Sequence, residues 1–164
     1  MPAVEPRHSL ERPFHAQTRV AHAPAHPGDT GGRDVGRDVD FMALLGAFRA
    51  SGGLATGAEI AAREPGTGMS RLARWIVRRE LLCLDWQGSL WLPAFQFERQ
   101  GLVLKEAARR VASELPSTLD GWELADWWLS PNPLLAERSP LLTLPDDAQA
   151  VAEAARVFRF LMAG

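Results

Sequence analysis

At 164 residues the chain is one domain of ordinary size or two very small ones, and with 46% apolar residues it can build a real core. A net charge of −2 excludes a basic nucleic-acid coat or an acidic mimic. The single cysteine, Cys83, excludes an internal disulfide, and no apolar stretch approaches the ~20 residues that a bilayer span needs.

The expectation is a cytoplasmic protein with no membrane partner. Pro2, Glu5 and Pro6 stand where a signal peptide would need a basic start and an apolar run. Charge is uneven along the chain: residues 41–99 carry a small basic excess, and residues 100–164 an acidic one. An anion-binding role would therefore belong to the middle segment.

Residues 1–36 read as a disordered tail. They are rich in Pro, Ala, Gly and Arg and have no apolar period, so they cannot bury enough surface to offset their ordering entropy. All four histidines lie there (His8, His15, His22 and His26). Pro24 interrupts the last pair and no Cys or carboxylate cluster joins them, so a solvated tail is the reading and no metal site is expected.

Residues 37–92 read as a helix-turn-helix-like unit. Asp38 or Asp40 can cap a helix running to about Ala50, with Phe41, Leu44, Leu45 and Phe48 on one face. Thr56 and Glu59 have capping-box spacing and open a short helix, and Pro65-Gly66-Thr67-Gly68 is a turn. The helix from Met69 to Glu80 places Met69, Leu72, Ala73, Ile76 and Val77 on an apolar face. Arg71, Arg74, Trp75 and Arg78 fall opposite, flanked by Arg79. Strands are expected at Leu81–Trp86 and Leu90–Leu92 about a Gln87-Gly88 turn, which makes a small β-hairpin.

Residues 93–164 read as a three-helix unit after a connector. Leu104, Ala107, Ala108, Val111, Ala112 and Leu115 form one helical stripe that stops at Pro116. Asp120 caps a second helix, apolar on two sides and hence expected between neighbours. Pro131, Pro133 and Pro140 punctuate a loop. Asp146, three residues before Gln149, is expected to cap the last helix, whose stripe is Val151, Ala154, Ala155, Phe158, Leu161 and Met162.

Two motifs carry a family resemblance. Pro93-Ala94-Phe95-Gln96-Phe97-Glu98, followed by Gly101, is similar to a P-x-F-Q-F segment. Trp127-Trp128-Leu129-Ser130-Pro131-Asn132-Pro133-Leu134-Leu135, then Arg138-Ser139-Pro140, is similar to W-x-x-x-P-N-x-x-L-x-G-R-x-P. Together, over residues 92–164, they resemble the Xre/MbcA/ParS-like antitoxin family. The resemblance implies a mainly α fold whose C-terminal domain binds a cognate RES-type toxin and whose N-terminal domain binds the operon's own promoter. One departure stands out: the family has Gly before its Arg, where this chain has Glu137. If that position takes a positive φ, Glu137 costs about 1 kcal/mol there.

Candidate sites follow. For operator DNA they are Arg71, Arg74, Arg78 and Arg79, on a helix able to dock by its other face; the competing reading is an ordinary solvated helix face. A homodimer is expected, since one monomer makes few contacts. For toxin binding they are Trp127, Trp128, Pro131, Asn132, Arg138 and Pro140, because Trp and Arg anchor interfaces. Adjacent Trp127 and Trp128 cannot point the same way, so at least one is expected near the surface. Here the competing readings are core packing and turn chemistry. No catalytic residue or cofactor is expected: Cys83 sits in an apolar run and no histidine falls outside the tail. A solitary DNA-binding regulator without a toxin is the alternative reading.

Overall fold

The computed structural model describes residues 30–164, with side chains from Gly36 onward. The tail expectation for residues 1–29, histidines included, lies outside the described residues. Among these, the fold is mainly α: seven α-helices and one three-stranded antiparallel sheet. No helix among them is long and apolar enough to cross a membrane.

Helix α1 spans Thr30–Phe48. It starts ahead of both expected caps, so residues 30–36, expected in the tail, form its first turns. Once a helix is docked, each added residue gains a hydrogen bond without a new nucleation cost. Docking comes from Phe41 and Phe48, both buried. Asp38 lies inside the helix, where its carboxylate accepts from Trp86 Nε1 at 3.1 Å and Gln87 Nε2 at 3.3 Å, tying α1 to the hairpin. Phe41 stacks on Trp86 with ring centroids 3.9 Å apart.

Strand β1 (Leu54–Thr56) follows, then α2 (Gly57–Ala61) and α3 (Gly68–Val77). The expected Thr56–Glu59 capping box is formed and starts α2. At Gly68 the two helices meet so closely that a Cβ would collide with the carbonyl oxygen of Ala61. Strands β2 (Leu84–Trp86) and β3 (Ser89–Pro93) make the expected hairpin about Gln87-Gly88, both at positive φ. β3 lies in the middle of the sheet, pairing Trp91 with both Thr56 and Leu84. The sequence carries no signal for β1, because three half-buried residues leave no alternation to read.

The rest is helical. α4 spans Glu106–Glu114, α5 Gly121–Leu129, α6 Pro140–Thr143 and α7 Ala148–Ala163. Asp120 caps α5 as expected, accepting from the amides of Trp122 and Glu123. The cap of α7 is Asp147, which accepts from the Ala150 amide at 2.9 Å, and not Asp146, whose carboxylate is taken by Arg138. α4 packs along α7. The short α6 falls inside the expected loop, with Ser139 as its cap and Pro140 in its first turn.

Two apolar clusters hold the elements. The larger joins Phe48, Leu82, Leu84 and Phe95 to Val111, Ala125, Trp127, Trp128 and Val151. The smaller joins Ile60, Leu72, Leu81, Leu92, Phe97 and Leu102. A run of aromatic contacts threads the larger one, from Phe48 through Phe95, Trp128 and Trp127 to Phe158. At ~1.5–3 kcal/mol for each large apolar side chain removed from water, this cluster dominates the stability of residues 31–164, a single compact unit.

Candidate functional site

The arginines of α3 divide into two pairs. Arg71 is ion-paired with Glu64 at 2.8 Å, and its guanidinium also reaches the Leu102 carbonyl at 3.4 Å. Arg79 lies just past the helix at φ 54°, where it donates to the Leu119 carbonyl at 2.9 Å. Arg74 and Arg78 are exposed and join no ion pair among the described residues. The buried side of α3 differs from expectation. Trp75, placed with the arginines, is half-buried and packs near Phe97. Met69, Ala73 and Val77, placed on the docking face, are exposed, Val77 at 83%. The close α2–α3 contact at Gly68 rotates the helix so that Gly68, Leu72 and Trp75 turn inward. An apolar stripe is left outside, beside Arg74 and Arg78.

The proline-punctuated loop is largely committed to its own structure. Trp127 is 7% exposed and Trp128 1%, so both are buried, against the expectation that at least one is a surface residue, and only Trp127 borders a surface groove. Leaving room for both is a matter of geometry: Trp128 turns toward Phe95 and Trp127 toward Phe158, their rings near-perpendicular. Pro140 is buried as well. Asn132 accepts from the Leu134 amide at 2.9 Å and closes a bridge with Arg138. Arg138 donates to Asp146 and to the Leu142 carbonyl, each at 2.8 Å. Pro131 is exposed.

The loop nonetheless borders a groove of about 690 Å³ between α5 and the end of α7. Trp122, Trp127, Phe158 and Met162 supply apolar walls, Pro131 lies at one side, and Asp126 and Glu123 bring negative charge. The indole N–H of Trp127 is buried with no hydrogen-bond partner. A buried donor left unpaired costs about 1–3 kcal/mol, a cost offset here by the packing of the indole against Trp128 and Phe158. Beside the groove, α7 runs off the core. Val151, Ala154 and Ala155 are buried as expected, but Leu161 is 70% exposed and Phe160 78%. The expected stripe fails at its last turn because α4 ends at Glu114 and offers nothing further to cover it. Sequence periodicity marks these residues as apolar; it does not tell which neighbour is too short to bury them.

Cys83 is half-buried, and burial pushes its thiol above the ordinary range, with Arg79 only partly opposing that. Such a thiol is a poor nucleophile at neutral pH.

Comparison of the chain with family models, with curated proteins and with solved structures gives no match.

Proposed function

We propose that the chain is an antitoxin-like protein that binds and neutralises a RES-type toxin through the groove between α5, the Pro131–Pro133 segment and the end of α7. The observation that carries this reading is the groove itself, walled by Trp122, Trp127, Phe158 and Met162 and bordered by the exposed Pro131. Contiguous exposed apolar surface on a small protein marks an interaction site more often than chance exposure. The resemblance of Pro93–Phe97 and Trp127–Pro140 to the Xre/MbcA/ParS-like family supplies the kind of partner. Under this reading Trp127 and Trp128 act from beneath: they shape the groove, and the contacts come from Pro131, Arg138 and the α7 end.

The test is co-expression with the product of an adjacent RES-type gene, followed by capture and growth rescue. The double substitution Pro131→Glu with Met162→Glu, both at exposed positions that line the groove, should abolish capture and rescue while leaving the circular dichroism melt nearly unchanged. Capture that survives this change would overturn the groove as the contact surface.

Operator binding belongs to the same proposal. The order α1–β1–α2–α3–β2–β3, with the sheet ordered β1–β3–β2, supports reading this half as a helix-turn-helix followed by a wing. α3 would be the reading helix, with Arg74 and Arg78 reaching phosphates or guanine edges and a homodimer reading two half-sites about one turn apart. Promoter retention that does not change between low and high salt would exclude phosphate contacts. A chain with promoter affinity but no RES-type neighbour would be the solitary regulator instead.

A further inference from the structure

A second cavity, of about 970 Å³, opens on another side of the same unit. Its apolar floor includes Phe95, Phe97 and Leu144, and its cationic wall is Arg63, Arg99 and Lys105, the only lysine of the chain. Glu98 is the single carboxylate on its lining. None of the three cations joins an ion pair among the described residues, whereas Arg71, Arg109, Arg138, Arg156 and Arg159 all do. Arg63 holds its guanidinium 5.9 Å from the centre of the Phe97 ring, and Phe97 is itself buried in the smaller core. A cation fixed over an aromatic face keeps its remaining donors pointed away from that face, toward whatever enters.

We propose that this cavity binds a small anionic amphiphile: a phosphate or carboxylate carried on a flat or aliphatic apolar body. Three like charges on the lining of one concave surface favour an anion there, which offsets their mutual repulsion. The floor then takes the apolar body; the volume is that of a ligand site and suits a molecule up to mononucleotide size. Arg63 follows α2, while Arg99 and Lys105 lie on the connector that leads into α4, so the ligand would also brace the end of α2 against that connector. The two linings share no residue, and this site does not depend on the toxin reading.

Isothermal titration of the full chain with adenosine monophosphate, with octanoate and with inorganic phosphate tests it. At least one of the two amphiphiles should bind with a Kd below about 1 mM and more tightly than inorganic phosphate. Arg99→Gln with Lys105→Gln should weaken that binding about tenfold or more, as expected for losing two charge-assisted contacts. The single variant Arg63→Gln, at an exposed position, should weaken it too and provides a check if the double variant folds poorly. Adenosine monophosphate alone binding would assign an aromatic body, octanoate alone an aliphatic one. Absence of binding by both, equal affinity for inorganic phosphate, or affinity untouched by the substitutions would overturn the proposal.

Discussion

Gln96 behaves as a piece of strand made from a side chain: its carboxamide accepts from the Leu82 amide and donates to the Leu82 carbonyl at 2.9 Å. It also donates to the Pro93 carbonyl at 3.2 Å, and it is 98% buried. Leu82 leads into β2, and Pro93 ends β3, so one side chain closes the gap where the main-chain ladder stops. The middle residue of the Phe95-Gln96-Phe97 motif is thus a fastener between the two clusters, with Phe95 in one and Phe97 in the other.

Removing that fastener leaves two buried backbone groups of Leu82 without partners. Gln96→Ala should therefore destabilise the chain by about 3 kcal/mol or more, adding unpaired polar groups to a cavity. Gln96→Glu should be nearly as damaging, because a carboxylate cannot donate to the two carbonyls. Urea denaturation of the variants measures both; a loss under about 1 kcal/mol for Gln96→Ala would mean that water replaces the carboxamide.

Glu137 presents the converse case, a residue standing where the backbone prefers none. Ala136 and Glu137 have φ of 53° and 61°, in the left-handed region. The resembling family places Gly at the second position, and the strain anticipated from that departure is present in the backbone. Glu137→Gly should stabilise the chain by about 1 kcal/mol, since a Cβ-free residue takes this conformation without strain. Part of the gain is offset by the larger freedom of Gly in the unfolded chain. An unchanged or lowered denaturation midpoint would indicate that Glu137 gains compensating contacts.

Most local signals are legible in the sequence, the Asp146–Asp147 choice of cap for α7 excepted, and distant ones are not. The Thr56–Glu59 box, the Asp120 cap and the Gln87-Gly88 turn depend on residues within a few positions, and each is where the pattern puts it. The side of α3 that faces inward depends on Gly68 meeting Ala61, and the burial of Trp127 and Trp128 on Phe95 and Phe158, far along the chain. Gly121 is a further example. A Cβ there would strike the carbonyl oxygen of Cys83, so a residue that reads as an ordinary first-turn glycine is where α5 seats against the start of β2. The groove was legible only as a proline-rich loop near tryptophans. Its depth, and the exposed end of α7, follow from where α4 stops.

Glu114 holds that end of α7 in place, accepting from Arg156 at 3.0 Å and Arg159 at 2.9 Å. The hydrogen bond from Arg156, with the charges of Arg156, Arg159 and Arg110 behind it, keeps the Glu114 carboxyl below the usual range. A carboxyl depressed on folding contributes stability that is present above its unfolded pKa, near ~4.3, and is lost as pH falls through the folded value. The arginines are half-exposed, so screening holds the contribution to about 1 kcal/mol at most. Glu114→Gln should thus lower stability at pH 7 and converge with the parent near pH 3. A gap that persists at pH 3 would assign the loss to packing rather than charge.

Arg138 is the one residue of the loop where an internal role and a partner role compete for the same guanidinium. Its pair with Asp146 is about half in water on both sides, a setting in which an ion pair contributes about 1 kcal/mol or less to folding. Arg138→Ala should then leave the denaturation midpoint within that margin. A carboxylate on a docking toxin could displace Asp146 at little cost, and truncating a desolvated arginine at an interface typically weakens binding by about 2 kcal/mol, near thirtyfold. Asp146→Ala separates the two roles, because it frees Arg138 without removing it. If Arg138 touches the partner, Asp146→Ala should preserve or tighten toxin capture while Arg138→Ala weakens it. Equal losses in both variants would make the pair an internal brace for the α6–α7 turn, and Arg138 would leave the contact surface.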